Sequence, residues 1–147
     1  MELKKEAILL DQTFQTKEEA IRQAGQLLVD AGAVDAGYID SMLEREEVVT
    51  THMGNFVAIP HGTDEGKTHV KSTAISIIQV PQGVNFAPNE PEEKLAMMIF
   101  GIAGVGNEHL DVLSKIAVFC ADVENVVRLV NASTEEEIIQ MLGEVEA

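Results

Sequence analysis

The amino-acid sequence predicts a single α/β layered domain. Three observations predict it: helical periodicity near both ends of the chain, β-prone apolar runs between them, and a length of 147 residues that suits one core. At that size the folded surface is expected near ~7,300 Å², roughly two thirds of the unfolded surface being buried. A hydrophobic content of 46% supplies such a core without disulfides or metal staples.

The elements follow in chain order. Thr16-Lys17-Glu18-Glu19 is a capping box, in which Thr16 and Glu19 are expected to satisfy each other's unpaired amides. Ala20, Ala24, Leu27, Leu28 and Ala31 then recur at helical spacing until Gly32 stops the helix. A second helix is predicted from Asp35 through Ile39, Met42 and Leu43 to about Glu47, with Arg45 near its end. Phe56-Val57-Ala58-Ile59 reads as a short strand that Pro60 halts by removing a ladder donor. Thr73 to Val80 is a second strand, Pro81-Gln82-Gly83 a turn, and Val84-Asn85-Phe86 a further short strand. The unbroken apolar run Leu95 to Ala103 predicts a central strand buried on both faces. After Gly104-Val105-Gly106, Asn107 can cap a helix carrying Leu110, Leu113, Ile116, Ala117 and Cys120. Two more helices are predicted, over Val123 to Leu129 and from Ser133 through Leu142. Pattern alone leaves the strand order open.

Charge narrows the function. Twenty-five acidic against ten basic residues give a formal −15, which repels phosphate backbones and anionic lipid and suits partners with basic docking faces. The apolar run Ala7 to Leu10 is too short for a signal peptide, and no stretch approaches the ~20 apolar residues of a membrane span. A soluble, intracellular protein is expected. The one cysteine, Cys120, occupies an apolar helical position and reads as a core residue rather than a nucleophile.

Four histidines are the candidates for chemistry: His52, His61, His69 and His109. None has a partner at zinc-ligand spacing, so no metal is expected. His61 follows an apolar strand and lies between Pro60, which stiffens the approach, and Gly62, which leaves room beside the ring. An imidazole at such a strand end can accept a phosphoryl group; a plain turn histidine is the alternative. His109 falls in the first turn beyond Asn107, beside unpaired amides and the positive end of a helix, where anions bind and an imidazole stays neutral. Arg45 offers oxyanions a guanidinium, though its neighbours Glu44, Glu46 and Glu47 equally suggest a solvated ion pair. His52 and His69 read as surface residues.

Glu46, followed by Met53-Gly54-Asn55-Phe56-Val57-Ala58-Ile59-Pro60-His61-Gly62, resembles the phosphohistidine signature of the fructose/mannitol class of phosphotransferase-system enzyme IIA domains. The likeness continues through Thr63, Pro81-Gln82-Gly83-Val84 and Phe86. Gly101-Ile102-Ala103 with Asn107-Glu108-His109 is most similar to the mannitol-specific branch. The resemblance implies one domain over residues 1–147, with a mixed sheet flanked by helices on both faces. It implies that His61 takes a phosphoryl group through Nε2 from the phosphohistidine of HPr and passes it to a cysteine of the IIB component during mannitol uptake in the cytoplasm. Arg45 and His109 match the polar neighbours that steady the phosphoryl group, with Asn107 a further phosphoryl-binding candidate; no cofactor is required. The chain resembles a stand-alone IIA subunit. Two alternatives stay open, a regulatory nitrogen-type IIA protein acting through its phosphorylation state and a fructose-specific IIA. Exposed apolar side chains such as Phe56 or Val105 are expected to rim the docking face around His61.

Overall fold

The computed structural model describes residues 3–143. The capping signal at Thr16 starts α1, Lys17–Asp30, with the Glu19 amide donating to Thr16 Oγ1 at 3.2 Å. The Glu19 carboxylate turns back only as far as the Thr16 hydroxyl, 3.5 Å away. Gly32 ends the helix at φ 77°, its amide and that of Ala33 donating back to the carbonyls of Val29 and Leu28 at 2.9 and 3.0 Å. Helix α2 spans Gly37–Val48. It opens two residues later than predicted because the Asp35 carboxylate accepts the Gly37 amide at 3.0 Å and turns the chain first.

Five strands form one mixed sheet: β1 Ile8–Leu9, β2 His52–Gly54, β3 Val57–Ala58, β4 Ala74–Asn85 and β5 Leu95–Ala103. Their order is β1-β4-β5-β3-β2, with β1–β4 and β3–β5 parallel and the other neighbours antiparallel. The strands β1 and β2 are too short to show the alternation by which sequence reveals a strand. Strand β4 runs through the predicted turn at Pro81-Gln82-Gly83. The register shift between Gln79 and Val84 takes up the extra residues there, with Gly83 at φ 79°. Proline is tolerated at that point because β1 pairs only with Ile77 and Ile78, leaving the outer edge of β4 open beyond them. Phe56 lies before β3 rather than in it, at φ 66° beside Asn55 at φ 51°, at the tip of the β2–β3 hairpin.

Helices cover both faces, as expected. On one face, α1 and α2 bury Ile21, Leu28 and Met42 against Ile78, Val80 and Ile99. On the other, α3 (Glu108–Cys120), α4 (Val123–Val130) and α5 (Glu135–Gly143) bury Ile116, Leu129 and Ile138 against Ile75, Ile77 and Phe100. The alternation along β4 sorts its polar residues by face as well. Ser76 donates to the Ala24 carbonyl of α1 at 2.8 Å, and the Gln79 amide donates to the Leu129 and Ala132 carbonyls at 3.0 and 2.9 Å. The accessible surface is 7373 Å², in line with a single packed unit of this mass. No helix among the described residues is long and apolar enough to cross a membrane.

Cys120 is buried in the second of these cores, and burial pushes its thiol up to about 12. The thiolate is the reactive form. Cys120 is therefore expected to resist iodoacetamide at pH 8 in the folded protein and to react on unfolding, which mass spectrometry with and without denaturant would read. Rapid alkylation of the native chain would contradict the burial.

Candidate functional site

The site lies at the carboxyl ends of β3 and β5, where two loops and the start of α3 meet. Beyond β3, the chain stays zipped to β5: the Ile102 amide donates to the Pro60 carbonyl at 2.9 Å, and His61 bridges in parallel to Ile102. His61 is half-buried. Its Nδ1 lies 2.8 Å from the Ile59 carbonyl oxygen. A carbonyl only accepts, so Nδ1 carries the proton and the neutral ring has its lone pair on Nε2. Burial holds the His61 pKa below the ordinary histidine value. The Ile59 carbonyl opposes that shift, while the charges of Arg45 and His109 add to it.

Helix α2 carries the shelf beneath the acceptor loop. Tyr38, Ser41 and Arg45 are spaced so that one helical face presents all three. The Tyr38 hydroxyl donates to the Ile102 carbonyl at 2.8 Å and accepts the Gly62 amide at 2.9 Å. Ser41 Oγ accepts the Thr63 amide at 2.8 Å. The loop sits so close to this shelf that a Cβ on Gly62 would come 2.6 Å from both Ser41 Oγ and the Tyr38 ring. Arg45 is half-buried and donates to the Val49 carbonyl at 2.7 Å. Its acidic neighbour Glu46 is not solvated. It is 4% exposed and accepts the Thr51 amide at 2.8 Å, the Thr51 hydroxyl at 2.6 Å and the Lys17 ammonium at 3.1 Å.

His109 arrives from the other side, in the first turn of α3. Its ring centroid is 6.4 Å from that of His61, with the planes tilted by 31°. The approach depends on Gly104, where a Cβ would fall on the backbone nitrogen of His109. Asn107 precedes the helix without capping it through its side chain; Asn107 Oδ1 instead accepts from Lys67 Nζ at 3.1 Å. Gly62, Thr63, Lys67, Gly104 and His109 line one shallow depression. The structure sets His109 beside His61, leaves Arg45 within reach of the ring by its charge, and links Asn107 to the loop only through Lys67, while Tyr38 and Ser41 hold the loop backbone. The repeat of Tyr38, Ser41 and Arg45 at helical spacing was the available signal for the first two. Nothing local marks Lys67.

Two expectations change. Phe56 does not rim His61: β3 shares one register with β5 from Val57 opposite Met98 to His61 opposite Ile102, which places Phe56 a strand length of about 17 Å away. Val105 and Leu110, flanking His109 in the chain, are 46% and 55% exposed and are apolar side chains at this end. His52 and His69 are half-buried rather than simple surface residues. His52 accepts the Gly54 amide at Nδ1 and donates from Nε2 to the Leu95 carbonyl at 2.8 Å, while His69 pairs with Asp35 at 2.6 Å. Among the described residues, no three His, Cys, Asp or Glu side chains converge as a metal would need.

Residues 1–145 match the family model described as "Phosphoenolpyruvate-dependent sugar phosphotransferase system, EIIA 2". The mannitol-specific phosphotransferase enzyme IIA component of Enterococcus faecalis is 52% identical over 137 residues, covering 93% of this chain and 94% of the relative. That of Bacillus subtilis is 52% identical over 143 residues, covering 97% of each. Among solved structures, IIA mannitol from Escherichia coli superposes with a TM-score of 0.89 at 37% identity, over 97% of this chain and 99% of that one. The enzyme IIA of the E. coli complex with phosphorylated enzyme IIB for mannitol gives 0.91 at 36% identity, over 97% and 98%. With its mixed sheet, its histidine pair and these likenesses along nearly its whole length, the chain belongs to the EIIA 2 family of the phosphoenolpyruvate-dependent sugar phosphotransferase system.

Proposed function

We propose that residues 1–147 form one cytoplasmic phosphocarrier domain of mannitol uptake, with His61 as the acceptor. Nε2 of His61 attacks the phosphorus held on the phosphohistidine of HPr; the new N–P bond forms as the old one breaks, and the donor imidazole leaves. A cysteine thiolate of the mannitol IIB component then attacks the same phosphorus and His61 departs as the neutral ring it began as. The observation that supports this reading is the Nδ1 contact to the Ile59 carbonyl, which leaves Nε2 unprotonated beside His109. Little covalent machinery is needed for such a transfer beyond in-line placement and donors for the three equatorial oxygens. Arg45 supplies a fixed charge, and His109 with the amides at the start of α3 supplies further N–H donors. The relatives named above support mannitol as the sugar system.

The experiment is to incubate the protein with phosphoenolpyruvate, enzyme I and HPr, then add a mannitol IIB component. One acid-labile phosphate per chain, passed on to the IIB cysteine, is expected. No label on the chain would overturn the carrier reading, and label that never moves on would favour a regulatory role. Arg45→Ala and His109→Ala should each slow uptake by ~10²–10³, the usual loss for one electrostatic stabiliser. Unchanged rates would remove them from the site.

The lowered pKa of His61 sets the pH response. Because the folded value lies below the ordinary ~6.5, Nε2 keeps its lone pair as the pH falls through 6.5. The midpoint for loss of uptake, measured from pH 8 downward, should lie below the ordinary ~6.5; a midpoint at or above 6.5 would contradict the shift. The unfolded chain takes up the proton first, so this group removes stability as the pH drops below about 6.5.

A further inference from the structure

We propose that Lys67 is a positioning residue of this site: by holding the Asn107 side chain, it sets the first turn of α3, and with it His109, against the His61 loop. The inference rests on the reading of His61 as the phosphoryl acceptor. Lys67 belongs to a 3-10 turn, Glu65–His69, that is built directly on the acceptor loop. The Gly66 amide donates to the Thr63 carbonyl at 3.0 Å and lies 3.2 Å from the Thr63 hydroxyl oxygen, while Thr63 itself is held by Ser41. A Cβ on Gly66 would fall on Ser41 Oγ, so the turn is packed tightly onto the α2 shelf. The Lys67 ammonium leaves this turn and reaches across 40 residues of sequence to Asn107 Oδ1. Its one carboxylate neighbour among the described residues, Asp64, is farther away, at 3.6 Å.

The segment it holds needs holding. Gly104 and Gly106 precede α3, Gly106 at φ 60°, and an asparagine at the start of a helix ordinarily accepts an amide of its own first turn. Asn107 makes no such bond. Its oxygen is spent on Lys67, which couples the helix start to the acceptor loop. On the opposite side, Thr73 accepts the Val105 amide at 3.1 Å and donates to the Glu108 carboxylate at 2.9 Å. Two tethers therefore fix the turn that carries His109, and Lys67 is the one that comes from the His61 loop. The ammonium of Lys67 is engaged by Asn107 Oδ1 at 3.1 Å, so the side chain is spent on the helix start rather than aimed at the His61 ring.

The test is a double-mutant cycle on phosphoryl uptake from phospho-HPr, with the imidazole resonances of His109 recorded by NMR on the unphosphorylated protein. Lys67→Met and Asn107→Ala should each slow uptake by ~10–100-fold, the scale of a small misplacement of a reacting group. Both should shift the His109 resonances. Lys67→Arg, which keeps a donor to Asn107, should recover most of the rate. The double variant should be no slower than the slower single, because the two residues act as one unit. Losses that multiply in the double variant, or His109 resonances that stay in place in Lys67→Met, would overturn the proposal. Should the wild-type protein take up no phosphate at all, the acceptor reading fails, while the His109 resonances of Lys67→Met still decide whether the tether exists.

Discussion

His61→Ala is expected to take up no acid-labile phosphate from phospho-HPr while keeping the wild-type fold. The loss should be total, because only the His61 ring has its Nδ1 fixed on the Ile59 carbonyl and its Nε2 left bare at this strand end. His109 stands 6.4 Å away between ring centres and has its own place in the first turn of α3. His61→Gln sharpens the result. Its side-chain amide can donate toward the Ile59 carbonyl, as Nδ1 does at 2.8 Å, yet an amide nitrogen is no nucleophile. A folded but inert His61→Gln protein separates chemistry from architecture. Full labelling of either variant, located by tandem mass spectrometry on another residue, would dismiss His61 as the acceptor.

The largest effect on stability is expected at Glu46, one residue from Arg45. Its carboxylate is 4% exposed and binds two groups of Thr51 and the ammonium of Lys17, which also donates to the Phe86 carbonyl at 3.1 Å. This one side chain joins α1, α2, the lead into β2 and the end of β4. Removing it in Glu46→Ala strands a Lys17 ammonium whose side chain is 18% exposed and an amide of Thr51 in the interior. Breaking a buried pair from one side costs about 3–5 kcal/mol, a fall in Tm of roughly 6–20 °C at this chain length. Calorimetry should show most of that loss returning in Lys17→Met/Glu46→Gln, where no charge is left alone. A Glu46→Ala protein that melts within about 2 °C of wild type would mean the carboxylate is solvated after all.

What was legible in the sequence divides along physical lines. His61, His109 and Arg45 could be singled out because each sits in a local context with chemical meaning: a strand end, a helix start, a helix flank. The helices α1 and α3 and the strand β5 announced themselves through periodicity or an unbroken apolar run. Glu46 was legible only as part of the signature and as an acidic neighbour of Arg45, because its burial depends on the entry of Lys17 from another helix. Tyr38 and Ser41 act on the backbone of residues more than twenty positions away, and Lys67 on a residue 40 positions away. Those distances are set by the sheet order, which pairs β3 with β5 and leaves β4 between β5 and β1. Phe56 was assigned to the wrong end of the molecule for the same reason. Nearness in the chain to His61 was taken for nearness in space, while an extended strand separates them.

The contact of Tyr38 with the Ile102 carbonyl has a kinetic consequence. It spans 64 residues, and together with the Ile102 amide on the Pro60 carbonyl it ties the α2 shelf and the acceptor loop to β5. Closing so long a stretch of chain is entropically slow, and pairings of this kind come late in folding. A polypeptide still emerging from the ribosome, with Pro60-His61-Gly62 already exposed but Ile102 not yet made, would carry the signature without the cradle. Competence to receive phosphate should thus appear abruptly with the last folding phase, and pulse-labelling during refolding would date it.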